Sequence, residues 1–178
     1  MPNRYPQEAA LRDGRRLLIR PFEEKDSKAL YEFFMRLPNE SRRFAWDAID
    51  DPHLVESWGR DLDYAKTLPL LAIDGTKIVA DATLHRRHGG PLRLVGRIKW
   101  LIDPEYRGRG LGTLLVNHFI GVARQNGLRH LTAMLISDLE VDAIQTLKTL
   151  GFNEYIVPGY GTDPDGGQHD MTKMVLKL

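Results

Sequence analysis

Ile98-Lys99-Trp100-Leu101-Ile102-Asp103-Pro104-Glu105-Tyr106-Arg107-Gly108-Arg109-Gly110-Leu111-Gly112-Thr113 is the stretch that decides how this chain folds. An apolar strand runs into a proline turn, then into three alternating glycines, and from there into a strongly patterned helix. The first-turn amides of a helix have no internal acceptor, and the helix dipole makes that end positive. Glycines let the backbone approach an anion closely, so successive N–H groups converge on phosphate-like oxygens. Arg107 and Arg109 add positive charge. One glycine would mark an ordinary strand-to-helix turn; three glycines and two arginines predict an anion site.

Downstream of this turn, Gly110 to Gln125 reads as a helix, with Leu111, Leu114, Leu115, His118, Phe119 and Val122 on the buried stripe and Asn126-Gly127 as its stop. A strand from Leu131 to Ile136, a helix from Val141 to Leu150 and a strand from Phe152 to Val157 follow. Pro158 to Gln168, rich in Gly, Pro and Asp, reads as a mobile loop, and Met171 to Leu176 closes a sheet. Upstream, the fourth strand is Leu92 to Ile102 and the third Lys77 to Arg87. The third joins the second, Leu68 to Ile73, through an Asp74-Gly75 turn. Ile78, Ala80, Ala82 and Leu84 alternate with Val79, Asp81, Thr83 and His85. Pro52 to Lys66 is a helix capped by Asp51. Asn39 to Phe44 is irregular or briefly helical. Glu23 to Leu37 is an amphipathic helix with Ala29, Leu30, Phe33, Phe34 and Leu37 at helical spacing, capped by Asp26 or Ser27. Arg15 to Pro21 is the first strand. The order β-α-α-β-β-β-α-β-α-β-β makes an α/β domain, expected to span residues 1–178 as one unit.

The chain has 178 residues and a formal net charge of +1, so nothing global steers it to nucleic acid or an anionic membrane. With no cysteine, a disulfide framework, a thiolate metal site and an acyl-thioester on the protein are excluded, and no metal site is expected. No apolar run reaches spanning length, and Met1 to Pro6 has no signal core, so a cytoplasmic location is expected.

A phosphate-binding Walker loop would end in Gly-Lys-Ser/Thr, which is missing. A dinucleotide fingerprint would place its third glycine at Thr113 and its first directly after the strand, whereas five residues, Asp103 to Arg107, intervene. The segment instead resembles the acetyl-CoA motif of the GNAT superfamily of N-acetyltransferases. Its Gln or Arg, two residues, Gly, one residue, then Gly or Ala is matched by Arg107, Gly110 and Gly112, after Asp103-Pro104-Glu105-Tyr106. Ala143-Ile144 and Leu150-Gly151-Phe152 resemble the next family motif. Leu11-Arg12-Asp13-Gly14, Ile19-Arg20-Pro21, Phe33-Phe34 and Glu40-Ser41-Arg42 are similar to bacterial protein-lysine acetyltransferases. The resemblance implies a mixed, mostly antiparallel central sheet flanked by helices and splayed after the fourth strand. It also implies acetyl-CoA as acyl-donor substrate. Trp100, Leu101 and Ile102 would offer backbone to its pantetheine arm, and Arg107, Gly108, Arg109, Gly110, Leu111, Gly112 and Thr113 would form the pyrophosphate cradle.

Acyl transfer from a thioester to an amine needs an uncharged nucleophile, a stabilised oxyanion and an acid for the leaving thiolate. Many family members carry a Tyr acid seven residues after an Asn in the last helix; those positions hold Leu147 and Glu140. A Glu base on the fourth strand corresponds to Arg97. The substitutes are His85, which titrates near neutrality and shares a strand face with Asp81 and Thr83, and Glu140, which otherwise serves as a helix-start carboxylate. Arg97 and Lys99 share a face that suits an acidic acceptor or pairs with Asp81 across the sheet. The expected partners are acetyl-CoA and an amine, either a small molecule or a protein lysine, with direct transfer in a ternary complex. A non-enzymatic acyl-CoA sensor is the alternative, and nicotinamide-dependent oxidoreduction a third.

Overall fold

Leu30, Phe33, Phe34 and Leu37 recur at i, i+3, i+4 and i+7, and all four are buried in one cluster with Phe22, Ile49, Val55, Leu71, Ile73 and Ile78. That stripe fixes the first long helix, α1 (Ser27–Arg36), on its sheet. Phe34 meets Trp58 edge-on at 6.1 Å between ring centres. These features come from a computed structural model of the protein, which describes residues 5–42, 45–163 and 165–178. Expectations falling on residues 1–4, on Arg43 and Phe44, and on Pro164 lie outside the described residues.

In chain order the elements are β1 (Gln7–Ala10), β2 (Arg16–Pro21), α1, α2 (Asn39–Arg42), α3 (Pro52–Arg60), β3 (Thr67–Asp74), β4 (Lys77–His85), β5 (Val95–Ile102), α4 (Leu111–Gln125), β6 (His130–Ile136), α5 (Val141–Thr149), β7 (Asn153–Thr162) and β8 (Gln168–Lys177). Hydrogen-bonded neighbours follow the order β1-β2-β3-β4-β5-β6-β8-β7. β5 and β6 run parallel, whereas β1–β2, β2–β3, β6–β8 and β7–β8 are antiparallel. This is the mixed, mostly antiparallel sheet flanked by helices that the sequence predicts. Among the described residues no helix is long and apolar enough to cross a membrane.

The chain divides into two compact units: one takes the residues up to Thr83 together with Trp100–Leu111, the other Leu84–Lys99 and Gly112–Leu178. In the first unit the residues from Leu68 to Ile73 on β3 are buried without alternation, as are Ile78 to Thr83 on β4, so both faces there are covered. Arg20 donates a two-pronged pair of bonds to Asp26, at 2.6 and 2.8 Å. In the second unit α4 buries Leu115, Val116, Phe119, Val122 and Ala123, and Gly127 at φ 69° stops it as expected. Gly96 on β5 is needed there for close packing, because a Cβ would stand 2.8 Å from side-chain atoms of both Leu84 and Leu131. β7 ends the strand order and is wet on both faces, with Ile156 58% and Tyr160 69% exposed.

Several boundaries differ from expectation for identifiable reasons. Gln7–Ala10 is a strand that the sequence hides, since Glu and Ala are weak strand formers. Asp51 caps α3 by accepting the His53 amide, but the helix ends at Arg60 instead of Lys66. There the Asp63 carboxylate takes the Ala65 amide at 2.9 Å and so competes with a further helical turn. Asp26 does not cap α1; its carboxylate serves Arg20 and the Glu23 amide, and the first turn is a 3-10 turn over Glu24–Asp26. β5 starts at Val95 instead of Leu92, because two successive turns use the Arg93 and Val95 amides. Pro158 to Thr162 is strand, with a register shift between Val157 and Gly161; the Gly-Pro composition marks that bulge.

Candidate functional site

The glycine turn is built from its base upward. Asp103 closes the end of β5 by donating its amide to the Val79 carbonyl at 2.9 Å, accepts the Glu105 amide at 3.1 Å, and pairs with Lys77 at 3.0 Å. Tyr106 is buried and donates its hydroxyl to Asp74 at 2.7 Å. The Arg15 guanidinium lies 4.8 Å from the Tyr106 ring centre, a cation–π contact. Burial and the bond to Asp74 hold the Tyr106 phenol above its ordinary pKa, so it remains a neutral donor. The loop therefore rises from a rigid floor.

The two loop arginines are both engaged by protein. Arg107 donates from Nε to the Ile102 carbonyl at 3.1 Å and from Nη2 to Ser41 Oγ at 2.7 Å. Arg109 donates from Nε to the Glu105 carbonyl at 2.8 Å and from Nη1 to Asp13 at 2.6 Å. Their side chains brace the backbone. Gly108 and Gly110 take φ of 68° and 91°, the left-handed region closed to most residues. A Cβ on Gly108 would meet nothing within 4 Å, so the loop surface is open at that point. Leu111 is buried and anchors the first turn of α4, followed by the half-buried Gly112 and Thr113. Ile102 is buried, and Trp100 and Leu101 are half-buried.

The parallel pairing of β5 with β6 covers only Val95–Arg97 against His130–Thr132 among the described residues. Both strands continue, to Ile102 and Ile136, without further register.

The two acid–base candidates are not brought together. His85 ends β4; its ring is half-exposed although Nε2 is buried. Its neighbour Leu84 stands beside Gly96 and Leu131, near the start of β6. Glu140 accepts the amide of Ile136 at 2.6 Å, and its own amide returns to the Ile136 carbonyl at 3.0 Å. Ile136 is five residues beyond Leu131, about 16 Å along a strand. Burial raises the Glu140 carboxyl above its ordinary value, against the lowering effect of the Ile136 amide. Glu140 occupies the N-cap position of α5, yet its side chain turns back to β6. Leu147 is fully buried, Arg97 is exposed and Lys99 half-buried.

Sequence reasoning passed over Asp13 and Ser41 as supports of the glycine loop. Nothing local in the sequence announces that Asp13 meets a partner 96 residues away.

Residues 22–152 match the acetyltransferase (GNAT) family, and the chain belongs to it: it is an acyl-CoA-dependent N-acyltransferase. An acetyltransferase of Pseudomonas aeruginosa is 30% identical over 138 residues, covering 68% of this chain and 67% of that protein. Among solved structures, the GNAT domain of S. lividans PAT superposes with TM-score 0.82 at 20% identity, over 100% of this chain and 99% of that one. The structure of yncA from Salmonella typhimurium with its cofactor acetyl-CoA gives TM-score 0.77 at 22% identity, over 91% and 94%. At these identities the structural likeness is one of fold.

Proposed function

We propose that the chain, as one acyltransferase domain over residues 1–178, moves an acetyl group from acetyl-CoA to a primary amine by direct transfer in a ternary complex. The observation that carries this reading is the glycine turn: two left-handed glycines before α4, on a braced floor, with both loop arginines tied back. Main-chain amides from Gly108 to Thr113 hold the coenzyme's diphosphate. The backbone of Trp100 to Ile102, beyond the last β5–β6 pair, lies along the pantetheine arm. Among acceptors a protein lysine is favoured. Leu11 to Gly14, Ile19 to Pro21 and Glu40 to Arg42 are similar to protein-lysine acetyltransferases, and the fold matches that of S. lividans PAT.

In the reaction the uncharged amine attacks the thioester carbonyl carbon and forms the C–N bond. The tetrahedral oxyanion then collapses, the C–S bond breaks, and the amine proton passes to a base while the coenzyme leaves as a thiolate that takes up a proton. No acyl-enzyme thioester intervenes, because the chain has no cysteine. His85 is the proposed proton acceptor, since a neutral imidazole nitrogen carries a lone pair that can take the amine proton. Glu140 is a positioning residue, clamping the segment between β6 and α5 through its two bonds to Ile136.

The test measures free thiol released from acetyl-CoA against a panel of amines and lysine-bearing proteins. The cysteine-free chain adds no thiol of its own, and with cysteine-free acceptor proteins every thiol detected comes from the coenzyme. Acetyl-CoA binding with no thiol release on any acceptor would overturn the transfer reading, and absence of binding heat would overturn the coenzyme site itself.

A further inference from the structure

The glycine loop has a third arginine beside it, and that one comes from the far end of the chain. Arg12 sits in the turn between β1 and β2, where the Leu11 amide donates to the Arg15 carbonyl at 2.9 Å and Gly14 takes φ 86°. A three-residue connection with a left-handed glycine at its end is a common hairpin geometry. It fixes the backbone of Arg12 and Asp13 relative to the strands.

This turn is fastened to the glycine loop at two points. The Arg12 amide donates to the Arg109 carbonyl at 3.1 Å, and the Asp13 carboxylate receives Arg109 Nη1 at 2.6 Å. Consequently the Arg12 side chain lies against Gly110: a Cβ there would find Arg12 Nε at 3.4 Å, Cγ at 3.5 Å and Cδ at 3.7 Å. The stem of Arg12 thus covers the glycine that the loop keeps bare.

The neighbouring cations each have protein partners. Arg107 holds Ser41 and the Ile102 carbonyl, Arg109 holds Asp13 and the Glu105 carbonyl, and Arg15 pairs with Asp13 at 3.2 Å. Among the described residues the Arg12 guanidinium has neither an ion pair nor a hydrogen bond, and the residue is exposed. A permanently charged planar fork that leaves from beside Gly110 without a counterion is arranged for a phosphate.

We infer that Arg12 is a coenzyme-binding residue that closes the diphosphate subsite from the hairpin side, opposite the loop amides. This rests on the reading of Gly108 to Thr113 as the diphosphate cradle. Because the hairpin fixes the backbone of Arg12, only the rotamers of its side chain are ordered when the fork engages. Arg12 acts on the bound coenzyme and not on the acetyl group, so its removal raises KM for acetyl-CoA and leaves kcat unchanged.

The experiment is calorimetry of wild type, Arg12→Gln and Arg12→Lys with coenzyme A and with 3′-dephospho-coenzyme A, at low and high salt. The expected result is about a ten-fold or greater loss for Arg12→Gln with both ligands, because charge-assisted bonds to phosphate are the strong ones. Arg12→Lys, which keeps the charge and loses the fork, falls between. The salt dependence of Arg12→Gln becomes shallower than that of wild type. Unchanged affinity for both ligands would make Arg12 a solvated surface arginine and end the proposal. A loss confined to coenzyme A would place Arg12 on the 3′-phosphate and overturn the diphosphate assignment. Wild type binding neither ligand is a separate failure, that of the cradle itself. Should Arg12→Gln lower Tm, the same ligand comparison is made with Arg12→Lys.

Discussion

Gly110→Ala bears most directly on the loop. Gly110 has φ 91°, and an L residue placed in the left-handed region costs about 1–2 kcal/mol. Stiffening the unfolded chain returns about 0.4–1 kcal/mol of that. The new methyl would also stand 3.4 Å from Arg12 Nε, a contact that a flexible exposed side chain yields by moving. The net loss is about 1 kcal/mol if the backbone holds its shape, or a fall in Tm of about 2–4 °C. If the loop instead rotates to relieve the strain, the amides around Gly110 swing away, and affinity for acetyl-CoA drops about ten-fold for each 1.4 kcal/mol of cradle lost. Thermal unfolding and calorimetry on one preparation separate the two responses. Gly108→Ala carries the same kind of strain but points its methyl into open space, and Gly89→Ala carries neither strain nor contact. A Gly110→Ala protein with Tm within about a degree and affinity within about two-fold of wild type would refute the strained-glycine argument.

Three further outcomes are expected. Gly96→Ala forces a methyl against Leu84, Leu131 and Leu128, and should cost about 1–3 kcal/mol in denaturant unfolding; an unchanged midpoint would mean those leucines have room to move. Asp26→Asn leaves the half-buried Arg20 fork poorly matched and should cost about 2 kcal/mol. Burial pushes the Asp26 carboxyl up, but the Arg20 and Glu23 hydrogen bonds outweigh it and leave the pKa below 3.8. Its stabilisation is therefore present above the unfolded value and lost as pH falls through the folded one, so the wild-type advantage should shrink in strong acid. Glu140 has the opposite sign: its folded pKa lies above 4.5, the folded state holds the proton longer, and stability falls as pH rises through that window. Glu140→Gln should flatten this fall in Tm, and parallel pH profiles for the two proteins would count against it.

What could be read in advance follows from how local each signal is. The glycine turn, α4 with its Gly127 stop, and the Asp51 cap of α3 each rest on chemistry within a few residues, and each stands where expected. β1 was hidden because Gln7-Glu8-Ala9-Ala10 lacks branched or aromatic residues; its place depends on pairing with β2. Pro158 to Thr162 reads as loop by composition, yet Asp170 accepts the Gly159 amide at 2.8 Å, and a Cβ on Gly161 would meet Met171 Sδ at 2.7 Å. Those glycines serve a bulge against a partner strand, which single-segment composition does not reveal. At the site, Gly108 and Gly110 were legible from their spacing. The commitments of Arg107 to Ser41 and Arg109 to Asp13 span 66 and 96 residues, and no spacing rule reaches so far. The same distance hid the isolation of Arg12.

β7 has a consequence for how this chain behaves in company. A ten-residue border strand with Tyr155, Ile156 and Tyr160 in water offers other molecules a row of backbone partners and grease to go with it. Pro158, which has no N–H to give, and the bulge that follows break this row near its middle. Copies of the chain meeting border to border can zip only a few residues before the rails fall out of step, which keeps a sticky margin from becoming the seed of a filament.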